Sequence, residues 1–310
     1  MKILLLDLSD GSEDFSGNRY GGIGRTFYQI WRDNPNTYIA GHPNSFSRAI
    51  HERFYFIENS AAIIDFDCPW LKEFDLVIHT RTNVFLKTDV PQLVWCPGQG
   101  ETVHKDHRFV LLHNPEGQKP NIQGSPKIFK FVLGIDVPEF QEHEKEDCIV
   151  QISNHYPQIQ THIIIDFCNR NKIKGYFGGP MAEGYDIKSL CNGFETRYLG
   201  VVTEDVKINL LKKAKLFSCL LGFPINETML SVKQALSYGC GIIATPIGHM
   251  TKSIYPGVNG FFVTCEADIE NAWNNRNTIK QKNCYDSIQK YSAAAMKESL
   301  DKVFKEICPN

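Results

Sequence analysis

A carboxylate and an amide separated by two helical turns are the first residues whose spacing points to chemistry. Glu227 stands just before a predicted helix, and Gln234 lies two turns into it. Residues at this spacing share a helix face, so both could line one cleft and hydrogen-bond different hydroxyls of a sugar or ribose. A carboxylate at a helix start also favours the helix dipole, and a glutamine there can simply be solvated. Both interpretations stay open on these residues alone.

Two further patterns could contact a ligand. Tyr20-Gly-Gly-Ile-Gly-Arg25 follows the first predicted strand and opens a helix. Its glycines would allow close approach to the backbone, and the free amides would attract an anion, although a tight turn explains the glycines equally well. Phe74-Asp-Leu-Val-Ile-His79 ends an apolar strand in a histidine, and ligands of parallel sheets bind at such strand ends. A lone histidine is nevertheless often structural.

Short apolar runs that alternate with helical segments must position these residues. This rhythm is typical of parallel sheets covered on both faces. The first helix should run from Tyr20-Gly-Gly to about Asp33, and Thr203 should cap a later helix whose first turn holds Glu204 and Asp205. The predicted strands lie near residues 2–8, 37–40, 53–57, 75–79, 91–96, 108–113, 128–132, 148–152, 174–177, 197–199, 215–220, 240–244 and 260–263. The other predicted helices are 158–169, 204–214, 228–238, 266–275 and a last amphipathic helix over 284–307.

A chain of 310 residues favours two domains. We predict an α/β fold with an N-terminal domain over 1–137. A charged interdomain crossing over 138–147 follows, and then a C-terminal domain over 148–280. Residues 281–310 should form a C-terminal helix that packs back toward the first domain.

Composition limits the function classes. A net charge of −2 gives no support for a broad phosphate-binding face. Ten cysteines without any C-x-x-C pair argue against a zinc or redox motif and fit a reducing, cytoplasmic location. The apolar N-terminal run is too short for a signal peptide, and no apolar stretch approaches the ~20 residues that span a bilayer. We expect no transmembrane segment.

Together, the motifs resemble those of retaining glycosyltransferases of the GT-B fold, specifically glycosyltransferase family four. In that family two Rossmann-like domains face each other across a cleft. The resemblance implies that residues 1–137 form the Rossmann-like acceptor-side domain and that residues 148–280 form the nucleotide-sugar-binding domain. The first-half matches are Gly21-Gly22, Asp75-Leu-Val-Ile-His79 and Val132-Leu-Gly-Ile-Asp-Val-Pro-Glu-Phe140. The second-half matches are Tyr198-Leu-Gly-Val-Val-Thr-Glu-Asp205, Gln234-Ala235, Tyr238-Gly-Cys-Gly-Ile-Ile-Ala-Thr245 and Val258-Asn-Gly-Phe-Phe-Val263.

The chain also departs from the family pattern. The glutamate that the family uses to hold ribose is Gln234 here, and the preceding glutamate aligns with Asn226, or with Glu227 if one residue has been lost. The arginine and lysine that bind the donor diphosphate in the family are missing from Ser153-Asn-His-Tyr-Pro-Gln-Ile-Gln160. Arg25, His155 or Lys252 would then supply the positive charge, or backbone amides would hold the diphosphate.

The resemblance implies glycosyl transfer, with retention of configuration, from a nucleoside-diphosphate sugar to a hydroxyl of a glycan, lipid, protein or modified DNA. The sugar nucleotide is a co-substrate, and neither a cofactor nor a metal is expected, since Asp65-Phe-Asp67 lies in a predicted loop rather than at a strand end. The implied catalytic residues are His79 and Glu227. The implied donor-binding residues are Gly21, Gly22, Arg25, Asn154, His155, Gly178, Asn226, Thr228, Met229, Leu230 and Gln234. Alternatives are a catalytically silent subunit that binds sugar or a partner, and a nucleotide-sugar epimerase of similar architecture.

Overall fold

The computed structural model describes residues 1–6, 22–41, 53–56, 69–80, 82, 85–96, 101–113, 120–222, 230–248 and 250–309. These residues form two compact units. The first contains the chain up to Gly134 and the last segment from Ala293, and the second contains the described residues between Ile135 and Ser292. The last helix therefore belongs to the first unit.

The first unit is built on a parallel sheet with strand order β3-β2-β1-β4-β5-β7-β9. Its strands are apolar runs, and all four residues of β1 are buried because helices or loops cover both faces of such a sheet. The strands are β1 Ile3–Leu6, β2 Thr37–Gly41, β3 Phe54–Phe56, β4 Leu76–His79, β5 Gln92–Trp95, β7 Phe109–Leu112 and β9 Lys127–Lys130, and a small separate sheet pairs β6 Thr102–Val103 with β8 Asn121–Ile122. The helices are α1 Gly22–Asp33 and α8 Ala293–Ile307.

The second unit is built on a parallel sheet with strand order β12-β11-β10-β13-β14-β15. Its first strand, β10, lies between β11 and β13, so the chain reverses its direction of travel across the sheet there. The strands are β10 Glu146–Ile152, β11 Lys174–Gly178, β12 Thr196–Tyr198, β13 Ala214–Cys219, β14 Gly241–Ala244 and β15 Gly260–Phe262. The helices are α2 Thr161–Asn171, α3 Glu204–Lys213, α4 Leu230–Ser237, α5 Met250–Ser253, α6 Glu266–Asn274 and α7 Gln281–Ser287.

Two polar side chains bind the ends of helices in the second unit: Thr203 at the start of α3, and Lys145 at the carboxyl ends of α3 and α4. The Thr203 hydroxyl accepts a hydrogen bond from the Val206 amide, which confirms the predicted cap of α3. At the other end, Lys145 Nζ donates to the carbonyls of Leu211 and Tyr238, at 2.8 and 2.7 Å. A single ammonium thus satisfies the carboxyl ends of α3 and α4, where the helix dipole favours a positive charge.

The prediction of one uninterrupted helix over 284–307 is wrong. Helix α7 ends at Ser287, a short 3-10 turn follows, and α8 begins at Ala293. The interruption has a tertiary cause, since the backbone of Ser292 is extended and pairs with Ile135, whose amide donates to the Tyr291 carbonyl at 2.9 Å. The segment that leaves the second unit therefore pairs with the segment that enters it.

Candidate functional site

A chain of buried hydrogen bonds lies at the carboxyl edge of the second sheet. The Ser218 hydroxyl donates to Gln151 Oε1 at 2.8 Å, and Gln151 Nε2 donates to Thr161 Oγ1 at 2.9 Å. Thr161 Oγ1 lies 2.9 Å from His155 Nδ1, and His155 Nε2 lies 3.0 Å from the Gly178 carbonyl. Because a carbonyl only accepts, Nε2 must carry the proton, and Nδ1 accepts from Thr161. The chain joins β10, β11, β13 and the first residue of α2.

His155 is consequently neutral, and both of its ring nitrogens are hydrogen-bonded. Its side chain is completely buried, and burial lowers its pKa to about 4. Both ring nitrogens bond within the protein, so at neutral pH the ring offers neither a positive charge nor a spare donor to a diphosphate. The structure therefore gives the ring a positioning role and leaves the predicted diphosphate charge at His155 without support.

Gly178 and Gly179 bring the end of β11 against the loop after β10. Gly179 has φ +126°, and a Cβ there would lie 1.9 Å from the Ser153 carbonyl oxygen. No side chain fits that position. The close approach holds the Ser153-Asn154-His155 segment, and the Asn154 side chain is exposed beside it. Of the predicted donor-binding residues in this loop, Asn154 is the one with an accessible side chain.

A second polar cluster occupies the starts of α3 and α4. Gln234 Nε2 donates to Glu204 Oε1, and Lys207 Nζ forms an ion pair with Glu204 Oε2. The Lys207 side chain is 7% exposed, whereas that of Glu204 is 27% exposed. We call Glu204, Lys207 and Gln234 the carboxylate cluster. Sequence reasoning placed Glu204 only as a helix-dipole residue and missed Lys207, although their i,i+3 spacing at a helix start signals an ion pair.

His79 lies at the carboxyl end of β4 in the first unit, as predicted, and is completely buried. Its ring centre is 5.4 Å from that of His107, which also contacts the Phe85 ring at 5.4 Å. His104 approaches His107 at 6.4 Å and bonds through its amide to the Thr82 carbonyl. The sequence did not indicate this histidine cluster. No group of three or more His, Cys, Asp or Glu within the described ranges could hold a metal ion.

Several predicted site residues fall outside the described residues. They are Gly21, Asn226, Glu227, Thr228 and Met229. For Gly22 and Arg25 the structure describes only their place in the first turn of α1, which confirms the predicted helix start. Leu230 is the first residue of α4 and is half-buried.

The cations near these helices differ in exposure. Lys252 is exposed on α5. Lys233, which precedes Gln234, is buried with its ammonium 4.3 Å from the Tyr291 ring centre, and burial lowers its pKa to about 7. Arg53, part of a basic and aromatic stretch, donates to the carbonyls of Trp31, Asn34 and Thr37. These bonds from the Arg53 guanidinium stabilise the carboxyl end of α1 in the first unit, so this side chain has a structural role.

No protein-family model and no curated protein matches this chain. Solved structures do match it over its whole length. AviGT4, a glycosyltransferase involved in avilamycin A biosynthesis, is 12% identical with a TM-score of 0.72, covering 100% of this chain and 99% of that one. The Anabaena protein HepE, solved in complex with UDP-glucose, is 12% identical with a TM-score of 0.69, covering 99% and 100%.

A sucrose-phosphate synthase from Thermosynechococcus elongatus extends the comparison, with 10% identity, a TM-score of 0.71 and 99% of each chain covered. Similarity at such low identity shows the fold. The chain has the α/β fold of GT-B glycosyltransferases, with two parallel sheets, as predicted. None of the described helices is both long enough and apolar enough to cross a membrane.

Proposed function

We propose that this protein is a glycosyltransferase of the family-four type that moves a sugar from a nucleoside-diphosphate sugar to a hydroxyl acceptor, with retention of configuration and without a metal. The observation that carries the proposal is the whole-chain similarity to glycosyltransferases, one of them solved with UDP-glucose. The motif matches along both halves of the sequence support it independently. A cytoplasmic location is part of the same proposal.

The proposed division of labour follows from the motif matches, since Gly21 and residues 226–229 lie outside the described residues. The second unit would hold the nucleotide at the start of α4, through Gln234 and the segment 226–230. The first unit would contact phosphate and sugar through Gly21-Gly22 and His79, and would present the acceptor. Catalysis would consist of positioning the two substrates and stabilising the leaving diphosphate while the acceptor attacks from the same face.

A thermal-shift panel of nucleotide sugars tests the donor, because a ligand that binds only the folded protein raises the unfolding temperature. We expect selective stabilisation by sugars on one base. The best donor is then incubated with glycan, lipid, protein and modified-DNA acceptors, and the product anomer is assigned by NMR. An inverted product would overturn the retaining assignment, and a panel in which no nucleotide sugar stabilises the protein would overturn the proposal itself.

Glu227 and Asn226 provide a matched pair for the sugar-binding position. If Glu227 orients the transferred sugar, Glu227→Ala loses most turnover while nucleoside diphosphate still binds, and Asn226→Ala retains turnover. The opposite result would assign the role to Asn226 and show that no residue has been lost from the motif. Turnover and nucleotide affinity are measured on the same preparations, since only their comparison separates catalysis from binding.

A catalytically silent binding subunit is the second candidate. It is favoured by one observation: the loop 153–160 contains no arginine or lysine, and His155 is neutral. A silent subunit would bind a nucleotide sugar in the thermal-shift panel without releasing nucleoside diphosphate on any acceptor. Measurable transfer to an acceptor rejects this candidate.

A further inference from the structure

The loop before β12 carries the most exposed aromatic side chain of the described residues. Phe194 is 83% exposed, and Leu190, four residues earlier, is 44% exposed. Single exposed aliphatic side chains are ordinary on protein surfaces, but a phenylalanine left mostly in water forgoes a large gain from burial. The loop lies at the amino edge of the parallel second sheet, whereas the candidate site lies at its carboxyl edge. Donor binding therefore does not explain these two side chains.

Hydrogen bonds hold this loop in one conformation. Asn192 Oδ1 accepts from the amides of Phe194 and Thr196, at 3.0 and 3.2 Å. Asn169, near the carboxyl end of α2, binds both ends of the loop: its Nδ2 donates to the Leu190 carbonyl at 2.9 Å, and its Oδ1 accepts from the Thr196 hydroxyl at 2.6 Å. The exposure of Phe194 is therefore built into the fold, and a partner that covers the ring would lose little affinity to ordering of the backbone.

Exposed cations accompany the two apolar side chains. They are Lys172 and Lys174 at the start of β11, Lys188 in the loop, and Arg197 in β12. None of the four forms an ion pair with another described residue. Strand pairing places Lys174 beside the loop, since the Gly175 amide donates to the Glu195 carbonyl at 2.8 Å. The carboxylates of the loop are fewer, Asp186 and Glu195, so this surface is apolar with a net positive charge. We call Leu190, Phe194 and the four cations the amino-edge patch.

We propose that the amino-edge patch docks this protein on an anionic phospholipid bilayer. Such a membrane offers both an apolar layer that receives the two apolar side chains and a negative surface that attracts the cations. A second copy of this chain fits less well, because a symmetric contact through the patch would bring its cations against one another. Docking at the amino edge would leave the carboxyl edge of the second sheet facing away from the membrane. The inference goes beyond the proposed function and does not depend on it.

Sedimentation with sucrose-loaded vesicles measures the docking of the full chain. It should bind vesicles of equimolar phosphatidylcholine and phosphatidylglycerol at least about tenfold more tightly than vesicles of phosphatidylcholine alone, and added salt should weaken the binding. Phe194→Ser should weaken binding to the anionic vesicles about tenfold, because the ring no longer enters the apolar layer. Lys174→Gln should weaken it about fivefold, the usual contribution of one cation near an anionic surface.

Ile128→Ser is the matched control. Ile128 is 46% exposed on β9 and has Lys127 and Lys130 close by in the sequence, but it belongs to the first unit and lies outside the patch. Lys127 is also paired with Glu306, which reduces the local positive charge. The Ile128→Ser variant should therefore bind the anionic vesicles like the wild-type protein. Thermal unfolding is recorded for every variant, and both serine variants should keep the wild-type Tm because the replaced side chains are exposed.

The outcomes decide between the membrane and other occupants of the patch. A wild-type protein that does not bind the anionic vesicles overturns the proposal, as does a folded Phe194→Ser protein that binds them as tightly as wild type. Equal losses in Phe194→Ser and Ile128→Ser would overturn the assignment of the contact to this patch. Light scattering without vesicles gives the oligomeric state, and self-association that Phe194→Ser abolishes would identify a second copy as the occupant instead. Selective loss of vesicle binding in Phe194→Ser and Lys174→Gln supports the proposal.

Discussion

The carboxyl edge of the second sheet has two parts that use polar residues in opposite ways. Around β10, β11 and the start of α2, the side chains of Gln151, His155 and Thr161 are buried and bond to one another or to the Gly178 carbonyl. At the starts of α3 and α4, Glu204 and Gln234 bond to each other but stay partly exposed. Position at a strand end therefore does not make a polar residue a ligand. Its exposure to solvent decides whether it can contact a ligand.

If this comparison is correct, substitutions in the buried part, around β10, β11 and the start of α2, should mainly lower the free energy of unfolding. The largest effect is expected for Gly179→Ala, whose Cβ would lie 1.9 Å from the Ser153 oxygen. We expect a loss of about 3 kcal/mol or more in the free energy of unfolding, since left-handed strain and overpacking each cost about 1–3 kcal/mol. Urea denaturation of the variant measures it.

Gly184→Ala is the matched control for that variant. Gly184 also has positive φ, +75°, but nothing lies within 4 Å of a Cβ built there. Gly184→Ala should lower the free energy of unfolding only by the cost of a left-handed backbone at a non-glycine residue, about 1–2 kcal/mol. Equal losses in the two variants would show that the close approach of Gly179 to Ser153 is unimportant.

The second prediction concerns pH. The pKa of His155 is about 4 in the folded protein against 6.5 for an ordinary histidine, so between these values the unfolded chain binds the proton and the folded protein does not. Stability should therefore be constant above about pH 6.5 and fall as the pH drops toward 4, by about 3 kcal/mol in total from this group. His155→Gln, which does not titrate, should show a correspondingly smaller slope between pH 7 and 5. An unchanged slope would mean that folding does not lower the pKa of His155.

Thr161→Val tests the middle of the hydrogen-bond chain with a somewhat smaller effect. The substitution keeps the shape of the side chain but leaves Gln151 Nε2 and His155 Nδ1 without their partner. Because a buried polar group without a partner costs about 1–3 kcal/mol, we expect a loss of about 2 kcal/mol in urea denaturation. Thr251→Val is the control, because its exposed side chain bonds through the hydroxyl to the Gly248 carbonyl and its loss should cost less than about 0.5 kcal/mol. Similar losses in both would argue against a special role for the chain.

The elements of this comparison differ in how far the sequence reveals them. The positions of the main-sheet strands were predicted and are confirmed, for example β1 and β10, because apolar runs bounded by polar residues are local signals. The short strands β6 and β8 were missed. The fold class followed from their alternation with helices. The break at Ser292 was missed because it depends on pairing with Ile135, far away in the chain.

Contacts between residues far apart in the sequence also decide the roles of the candidate site residues. His155 looked like a possible diphosphate ligand because its loop position is visible in the sequence, whereas its acceptor, the Gly178 carbonyl, lies 23 residues away. Glu204 and Gln234 are 30 residues apart, and no periodicity connects them. Local patterns identify candidates, but the allocation of hydrogen bonds among them is a tertiary property.

The smallest effect on stability is expected in the partly exposed part, at the starts of α3 and α4. Gln234→Ala removes one partly exposed contact to Glu204, so it should lower the free energy of unfolding by less than about 1 kcal/mol. If Gln234 holds the nucleotide as proposed, the same variant should weaken nucleoside-diphosphate binding about tenfold, measured by calorimetry.

Gln281→Ala is the matched comparison for Gln234→Ala, because Gln281 is a glutamine whose side chain bonds within the fold. Its side chain accepts from the His143 amide and donates to the His143 carbonyl, at 3.0 and 2.8 Å, so its amide is used within the fold. It should lose more stability than Gln234→Ala while keeping nucleotide affinity. The reverse pattern, with Gln234→Ala the more destabilised protein and its affinity unchanged, would make the carboxylate cluster a structural contact, because the contribution of Gln234 would then lie entirely in the folded protein and not in its complex.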